Sequence, residues 1–337
     1  MRIFFAAGSA ASFVKRDLEI LRTRHQVSFH SVRHFNPLRW LADLPQLLGS
    51  QLVFFWFASL YNLPYLFAAV LFGKRIVTVV GGYEAGNHPE HSYGQARGGW
   101  RTKLTRLMLG ASEVVFAVSE SSRRELLSNL GIPEEKIVLL HHGFEDLAAG
   151  RQFHKQNTVV TVATLARSTW LIKGIRDFCE IAERLPGVDF LLVGEQRCAP
   201  EKLWGKPQPA NLRTVGQVPY DRLAEYLGPA KVYLQLSRAE SFGCAVAEAM
   251  LFRAIPVVSA AGALPEVVGS CGSIVPVDDL EAAIRAVKSA LAAPESAGEA
   301  ARQRVLKEFG REARQQKLLQ VVEGLTRRRD RQPQSAV

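Results

Sequence analysis

Apolar, strand-like runs alternate with helical stretches from one end of this 337-residue chain to the other, and no other feature constrains its fold as much. The first half reads RIFFAA, HQVSFHS, QLVFFWF, RIVTVV, EVVFAV and KIVLLHHG. The second reads TVVTVAT, DFLLVGE, NLRTVGQ, KVYLQLS, AIPVVSA and GSIVPV, with helical patterns between most of the runs. Unbroken Val, Ile and Leu runs mark strands buried on both faces, as in parallel sheets covered by helices. The length exceeds one ordinary core, so two doubly wound domains are expected. The two series meet near 145–157, where EDLAAGRQFHKQN is polar and without period. The expected organisation is therefore residues 1–150, 151–310 and a last segment, 311–337. In that segment GREARQQKLLQVVEGL is a helix packing back on one of the domains, and RRRDRQPQSAV is a solvated end. Ligands of such sheets bind outside the carboxyl ends of the strands, so a cleft between two facing domains is expected.

Two stretches invite other readings. The start, MRIFFAAGSAASF, imitates a secretory leader, but Ile3–Ala7 is too short for its apolar core and VKRDLEIL continues at helical period. A strand, a glycine turn and a helix are expected. Residues 51–72 are long enough to span a bilayer, yet Asn62-Leu63-Pro64 interrupts them and KRIVTVV follows at once. Strand, turn and buried helix is the more economical reading. The four cysteines form no CxxC pair and sit in or beside apolar stretches, as reduced thiols of a cytoplasmic protein do.

The net charge of +10 is unevenly placed. Lys15, Arg16, Arg22, Arg24, Arg33 and Arg39 face only Asp17 and Glu19, and Arg97, Arg101, Lys103 and Arg106 meet no acid across 97–106. A basic, partly aromatic surface suits anionic lipid or nucleic acid. On a helix starting near Gly99, Trp100, Leu104, Leu107 and Met108 share one side, with Arg101 and Lys103 off it. A helix lying among lipid headgroups has that arrangement, and so does any helix packed on a sheet.

The stretch SRAESFGCAVAEAM (237–250) joins the strand KVYLQLS to a helix. Glu240 stands in the turn and Glu248 in the helix, with Phe242-Gly243 between them. A small-residue turn lets the backbone approach a ligand, and the free N–H groups of a helix start favour phosphate. Carboxylates beside it accept hydrogen bonds from sugar hydroxyls. Upstream, TVVTVATLARSTWLIKGIRDF ends a strand in a turn holding Arg167 and Lys173, two cations able to neutralise a diphosphate. His88 and His91 flank Glu90, but no third ligand is spaced to join them on zinc. No Asp-x-Asp occurs, which argues against the metal-dependent class of sugar transferase. His141-His142 read as structural.

Residues 157–290 resemble the donor-binding half of a GT-B glycosyltransferase of the large retaining family 4. The carrying motifs are Lys173-Gly174, Leu192-Val193-Gly194, Val215-Gly216-Gln217-Val218, Glu240 to Glu248, and Pro256 through Gly269. The first half is similar more loosely, through GSAASFVKRDLEIL, VVGGYEAGNHPEHSYG and FAVSESSRRELLSNLGIPEEKIVLLHHGFE. Ser241, Cys244 and Ala245 depart from the commoner Gly, Leu and Pro. Ala166-Arg167 stands one residue further from the lysine than the usual Gly-Arg, and Gly81-Gly82-Tyr83-Glu84 replaces a histidine common in relatives.

The resemblance implies an α/β protein of the GT-B class: two Rossmann-like, doubly wound parallel-sheet domains facing across a cleft. It implies retaining, metal-independent transfer of a sugar from a nucleotide diphosphate sugar, UDP- or GDP-linked, to a hydroxyl acceptor on a lipid-linked molecule or glycan. Glu248 would hold the ribose hydroxyls and Glu240 the donor sugar, while Lys173 with Arg167 stabilises the leaving diphosphate. The base would lie against Gln217-Val218. Gly194, Ser241, Phe242, Gly243 and Cys244 complete the donor turns, and Gly8 and Ser9 approach the phosphates from the first domain. Gly82, Tyr83, Glu84, His88 and His91 are the acceptor-side candidates. No metal and no cofactor beyond the donor are expected. A cytoplasmic protein is expected, touching the inner face of an anionic membrane through its basic first domain, with no nucleic-acid partner. A nucleotide-sugar epimerase and a non-catalytic docking protein are the alternatives.

Overall fold

Each of the twelve apolar runs forms a strand, and every strand pairs parallel with its neighbours. The computed structural model describes residues 1–9, 11–34 and 36–330; the end from 331 on, expected to be solvated, lies outside the described residues. The chain divides into two units, Met1–Gly143 with the segment from Arg311 on, and Phe144–Gly310.

The first unit begins β1 (Arg2–Ala7), α1 (Ser12–Arg22), β2 (Gln26–Ser31), α2 (Pro37–Gly49), β3 (Leu52–Trp56) and α3 (Leu63–Leu71). It continues with β4 (Arg75–Val80), α4 (Gly99–Ala111), β5 (Val114–Ala117), α5 (Glu120–Leu130) and β6 (Ile137–Leu139). Its sheet runs in the order β2-β1-β3-β4-β5-β6. Every crossover from β2 onward moves the same way, and right-handed connections therefore put α2 to α5 on one face. Leu47, Leu66, Met108 and Leu126 from these four helices share one core with Phe4, Val53 and Phe55 of the sheet.

The second unit contains β7 (Gln156–Val162), α6 (Ile175–Arg184), β8 (Asp189–Val193), α7 (Pro200–Trp204), β9 (Leu212–Val215) and α8 (Ala224–Leu227). Then come β10 (Ala230–Gln235), α9 (Cys244–Leu251), β11 (Ile255–Ser259), α10 (Leu264–Val268), β12 (Ser273–Val275), α11 (Leu280–Ala292) and α12 (Glu295–Glu308). The sheet order is β12-β11-β10-β7-β8-β9, so the direction of winding reverses between β7 and β10. Such a switch point leaves a crevice at the strands' carboxyl ends, where the loops diverge to opposite faces.

The last helix, α13 (Arg311–Asp330), returns to the first unit and packs beside α1. Arg314 grips the fully buried Asp17 through two bonds (2.6 and 2.7 Å) and donates to the carbonyl of Leu140. Trp56 Nε1 donates to the same carboxylate at 2.8 Å. Both charges are thus paired and hydrogen-bonded, which is what a buried ion pair needs. Residues 144–150, expected to close the first domain, fall in the second unit. Asp146 is held by both terminal nitrogens of Arg302 on α12, and Phe144 stacks on Phe242.

The sequence pointed to a buried helix after β3. Helix α3 is there, but Phe67, Val70 and Leu71 face outward. Helix α4 likewise divides its apolar residues, with Met108 in the core and Trp100 and Leu107 exposed. No described helix is long and apolar enough to cross a membrane.

Candidate active site

At the switch point, the turn after β7 meets the turn after β10. Gly174 allows this, with φ +66° and a hydrogen where a Cβ would lie 2.2 Å from the carbonyl oxygen of Leu236. Any side chain would push the two turns apart. Lys173, the preceding residue, reaches Glu240 with Nζ 2.7 Å from Oε2. Gly243, at φ +98°, turns the chain from Glu240 into α9, whose first residues Cys244 and Ala245 line the same hollow. The result is a pocket of about 220 Å³ walled by Thr161, Thr164, Thr169, Lys173, Gln235 and Glu240. A cation, a carboxylate and a helix start converge on it. Such a start favours an anion and the carboxylate favours hydroxyls.

Sequence reasoning missed the groups that hold Glu240. Gln235 Nε2 donates to Glu240 Oε2 at 2.6 Å and to Ser237 Oγ at 3.1 Å, while Gln235 Oε1 accepts from the Tyr233 hydroxyl at 3.1 Å. Tyr233 is fully buried and in turn accepts from the Val162 N–H at 3.3 Å. Burial raises its phenol pKa, and the charges of Glu240 and Glu248 add to the shift, so the hydroxyl stays a donor. The available signal was a glutamine closing the strand directly after Val232-Tyr233-Leu234, five residues before Glu240.

Not all expected donor residues line this pocket. Glu248 is buried on α9, deeper than Cys244. Gly194 closes β8 at φ +145°, against the Ala163 carbonyl. Gln217 and Val218 follow β9, with Gln217 exposed, and Arg167 is exposed in the turn ahead of Lys173. Ser241 is half-buried. The ring of Phe242 packs away between Phe144 and Phe309, at centroid distances of 5.9 and 5.3 Å.

In the first unit, Gly8 and Ser9 follow β1, which neighbours β3 where that sheet's winding reverses. Gly82 and Tyr83 follow β4, and Tyr83 sets its ring edge-on to Tyr93. Glu84 is buried; its Oε1 accepts from the Ala58 N–H at 3.3 Å, Oε2 has no partner, and burial pushes the carboxyl up. His88 lies 3.6 Å from Glu90 and 3.8 Å from Glu125, whose carboxyl burial lifts to about 7. His91 lies 3.8 Å from Glu90. Among the described residues no group of three or more His, Cys, Asp or Glu is placed to hold a metal.

The profile of Glycosyl transferases group 1 matches residues 144–329, and that of Glycosyltransferase Family 4 matches residues 3–146. No curated protein matches the chain by sequence. Among solved structures, the chain is similar to Anabaena Alr3699/HepE in complex with UDP and glucose, with a TM-score of 0.74 at 14% identity over 96% of this chain and 100% of that one. It is also similar to sucrose-phosphate synthase (tll1590) from Thermosynechococcus elongatus, with a TM-score of 0.73 at 16% identity over 97% and 99% of the two chains. At such identities the likeness is one of fold, that of two parallel-sheet units in the GT-B manner.

Proposed function

Since the chain belongs to the group 1 glycosyltransferases, we propose that it moves a sugar from a UDP- or GDP-sugar to a hydroxyl acceptor with retention of anomeric configuration and without a metal. The observation that carries this reading is the Lys173–Glu240 pair, 2.7 Å apart at the switch point and beside the start of α9. HepE, similar in fold, has been solved with UDP and glucose and with UDP-glucose, which favours the uridine donor.

Lys173, helped by Arg167, neutralises the diphosphate as it leaves. Glu240, oriented by Gln235, holds the sugar hydroxyls, and Glu248 the ribose. Ser241, Gly243 and Cys244 offer backbone to the donor, and Gln217-Val218 borders the base. A carboxylate nucleophile would lead to retention through two displacements. Glu240, the one carboxylate among the described residues lining the pocket, is engaged by Lys173 and Gln235, so attack on the face from which the diphosphate departs is the better reading. Catalysis is then positioning and charge stabilisation. The acceptor is a lipid-linked molecule or a glycan.

The test is release of nucleoside diphosphate from a panel of UDP- and GDP-sugars, with and without hydroxyl acceptors, and proton NMR of the product. Acceptor-dependent release with the donor's anomeric configuration is expected. Interconversion of the sugar without acceptor would mark an epimerase instead.

Two further outcomes follow from these roles. Activity should survive excess chelator, because a side-chain cation serves the diphosphate; complete loss restored by magnesium or manganese would overturn that part. Gln235→Leu should reduce kcat/KM by roughly 10- to 100-fold, the worth of one hydrogen bond to a charged group. An unchanged thermal midpoint would separate this from misfolding. Unchanged kcat/KM would mean that Glu240 needs no such support.

A further inference from the structure

Helices α2, α3 and α4 lie side by side on one face of the first sheet, and their outward sides are unlike those of ordinary surface helices. A helix packed on a sheet turns polar residues to water. Helix α3 has no charged residue and exposes Phe67 and Leu71, the latter at 78%. Beside it α2 exposes Leu38 (80%) and Leu41, and α4 exposes Trp100 (60%) and Leu107. The exposed charges of these helices are all cations: Arg39 on α2, and Arg101, Lys103 and Arg106 on α4. Their one carboxylate, Asp43, is buried against the Tyr65 hydroxyl (2.8 Å) and His30 Nδ1 (2.9 Å), with Arg39 Nε 3.8 Å away, so the three cations of α4 carry most of the unbalanced charge. Large exposed apolar area marks an interaction surface.

From this combination we infer that the outer face of α2, α3 and α4 docks on an anionic lipid bilayer. The leucines and aromatics enter the headgroup boundary while the four cations meet lipid phosphate. Helix α3 is nine residues long, too short to span, so the face lies on the bilayer rather than through it. A second copy is a poor occupant. A two-fold contact sets each patch against itself, and here that would oppose cations with no exposed carboxylate of these helices between them. The surface differs from the one expected in the sequence, where Met108 shared the lipid side; Met108 is core, and α2 and α3 supply most of the apolar area. None of these residues has a role in donor binding, so the inference stands or falls apart from the transfer reading.

The test is co-sedimentation of the full chain with vesicles of phosphatidylcholine alone or mixed with phosphatidylglycerol, at low and at physiological salt. The unchanged protein is expected to pellet with the anionic vesicles only, and less as salt rises. Arg101→Glu/Lys103→Glu/Arg106→Glu should lower the partition coefficient by about tenfold or more. Phe67→Ser/Leu71→Ser should lower it as well, with every charge intact; circular dichroism and an unchanged thermal midpoint identify folded variants. No pelleting at low salt overturns the inference. Pelleting unaffected by Phe67→Ser/Leu71→Ser also overturns it, because the cations alone would then be binding a polyanion. A dimer in sedimentation velocity that Phe67→Ser/Leu71→Ser disperses would assign the face to self-association instead.

Discussion

Lys173→Ala is expected to lower kcat by about 100- to 1000-fold, the loss seen when one preorganised charge-stabilising group is removed, roughly 2.7–4 kcal/mol. Donor affinity should fall much less. The diphosphate gains charge as the sugar leaves, so the cation interacts more strongly with the transition state than with the bound donor. Nζ is 2.7 Å from Glu240 Oε2, and both side chains are only partly exposed, at 27% and 14%. The ion pair therefore holds the lysine at the pocket without sealing it. Steady-state kinetics together with calorimetric donor titration separate the two effects. A kcat within about threefold of the parent would mean that the diphosphate is held elsewhere.

Arg314→Ala is expected to destabilise the first unit by about 3–5 kcal/mol, because it strands a buried carboxylate. Asp17 is fully buried, and without Arg314 it keeps only the Trp56 indole N–H among the bonds described above. Asp17→Asn combined with Arg314→Ala should cost clearly less than the two single changes added together, because once one charge is gone the other change breaks no ion pair. Denaturant unfolding followed by tryptophan fluorescence measures both quantities. A single-variant loss under about 1 kcal/mol, within the range of an exposed ion pair, would mean that α13 is held chiefly by its other contacts, among them the buried Leu318, Leu319 and Val322.

The interior strands were legible because a strand covered on both faces needs an unbroken apolar run, and β3, buried at every position, is the plainest case; the edge strand β2, QVSFHS, is only partly buried and carries a weaker signal. The turns bearing Lys173 and Glu240 were legible because small and polar residues interrupt the pattern where strands end. What local spacing cannot carry is direction. Phe242 sits in the donor turn by sequence, but its ring turns toward Phe144 and Phe309, which are remote in the chain. Gln235 reads as one more strand residue until Tyr233 and Glu240 appear on either side of it. The apolarity of α3 was plain, yet apolarity does not say which side meets the sheet. The junction was hidden for a similar reason: Asp146 looks like linker polarity until Arg302 of α12 is seen to hold it.

The most direct measurement is crystallographic difference density for a nucleoside diphosphate sugar bound to the full chain, using the UDP- or GDP-sugar that turns over. The expected result is diphosphate within hydrogen-bond distance of Lys173 Nζ, with the sugar hydroxyls on Glu240 and the ribose on Glu248. A donor bound with its diphosphate away from Lys173, and the Lys173–Glu240 pair still closed, would contradict the proposed site.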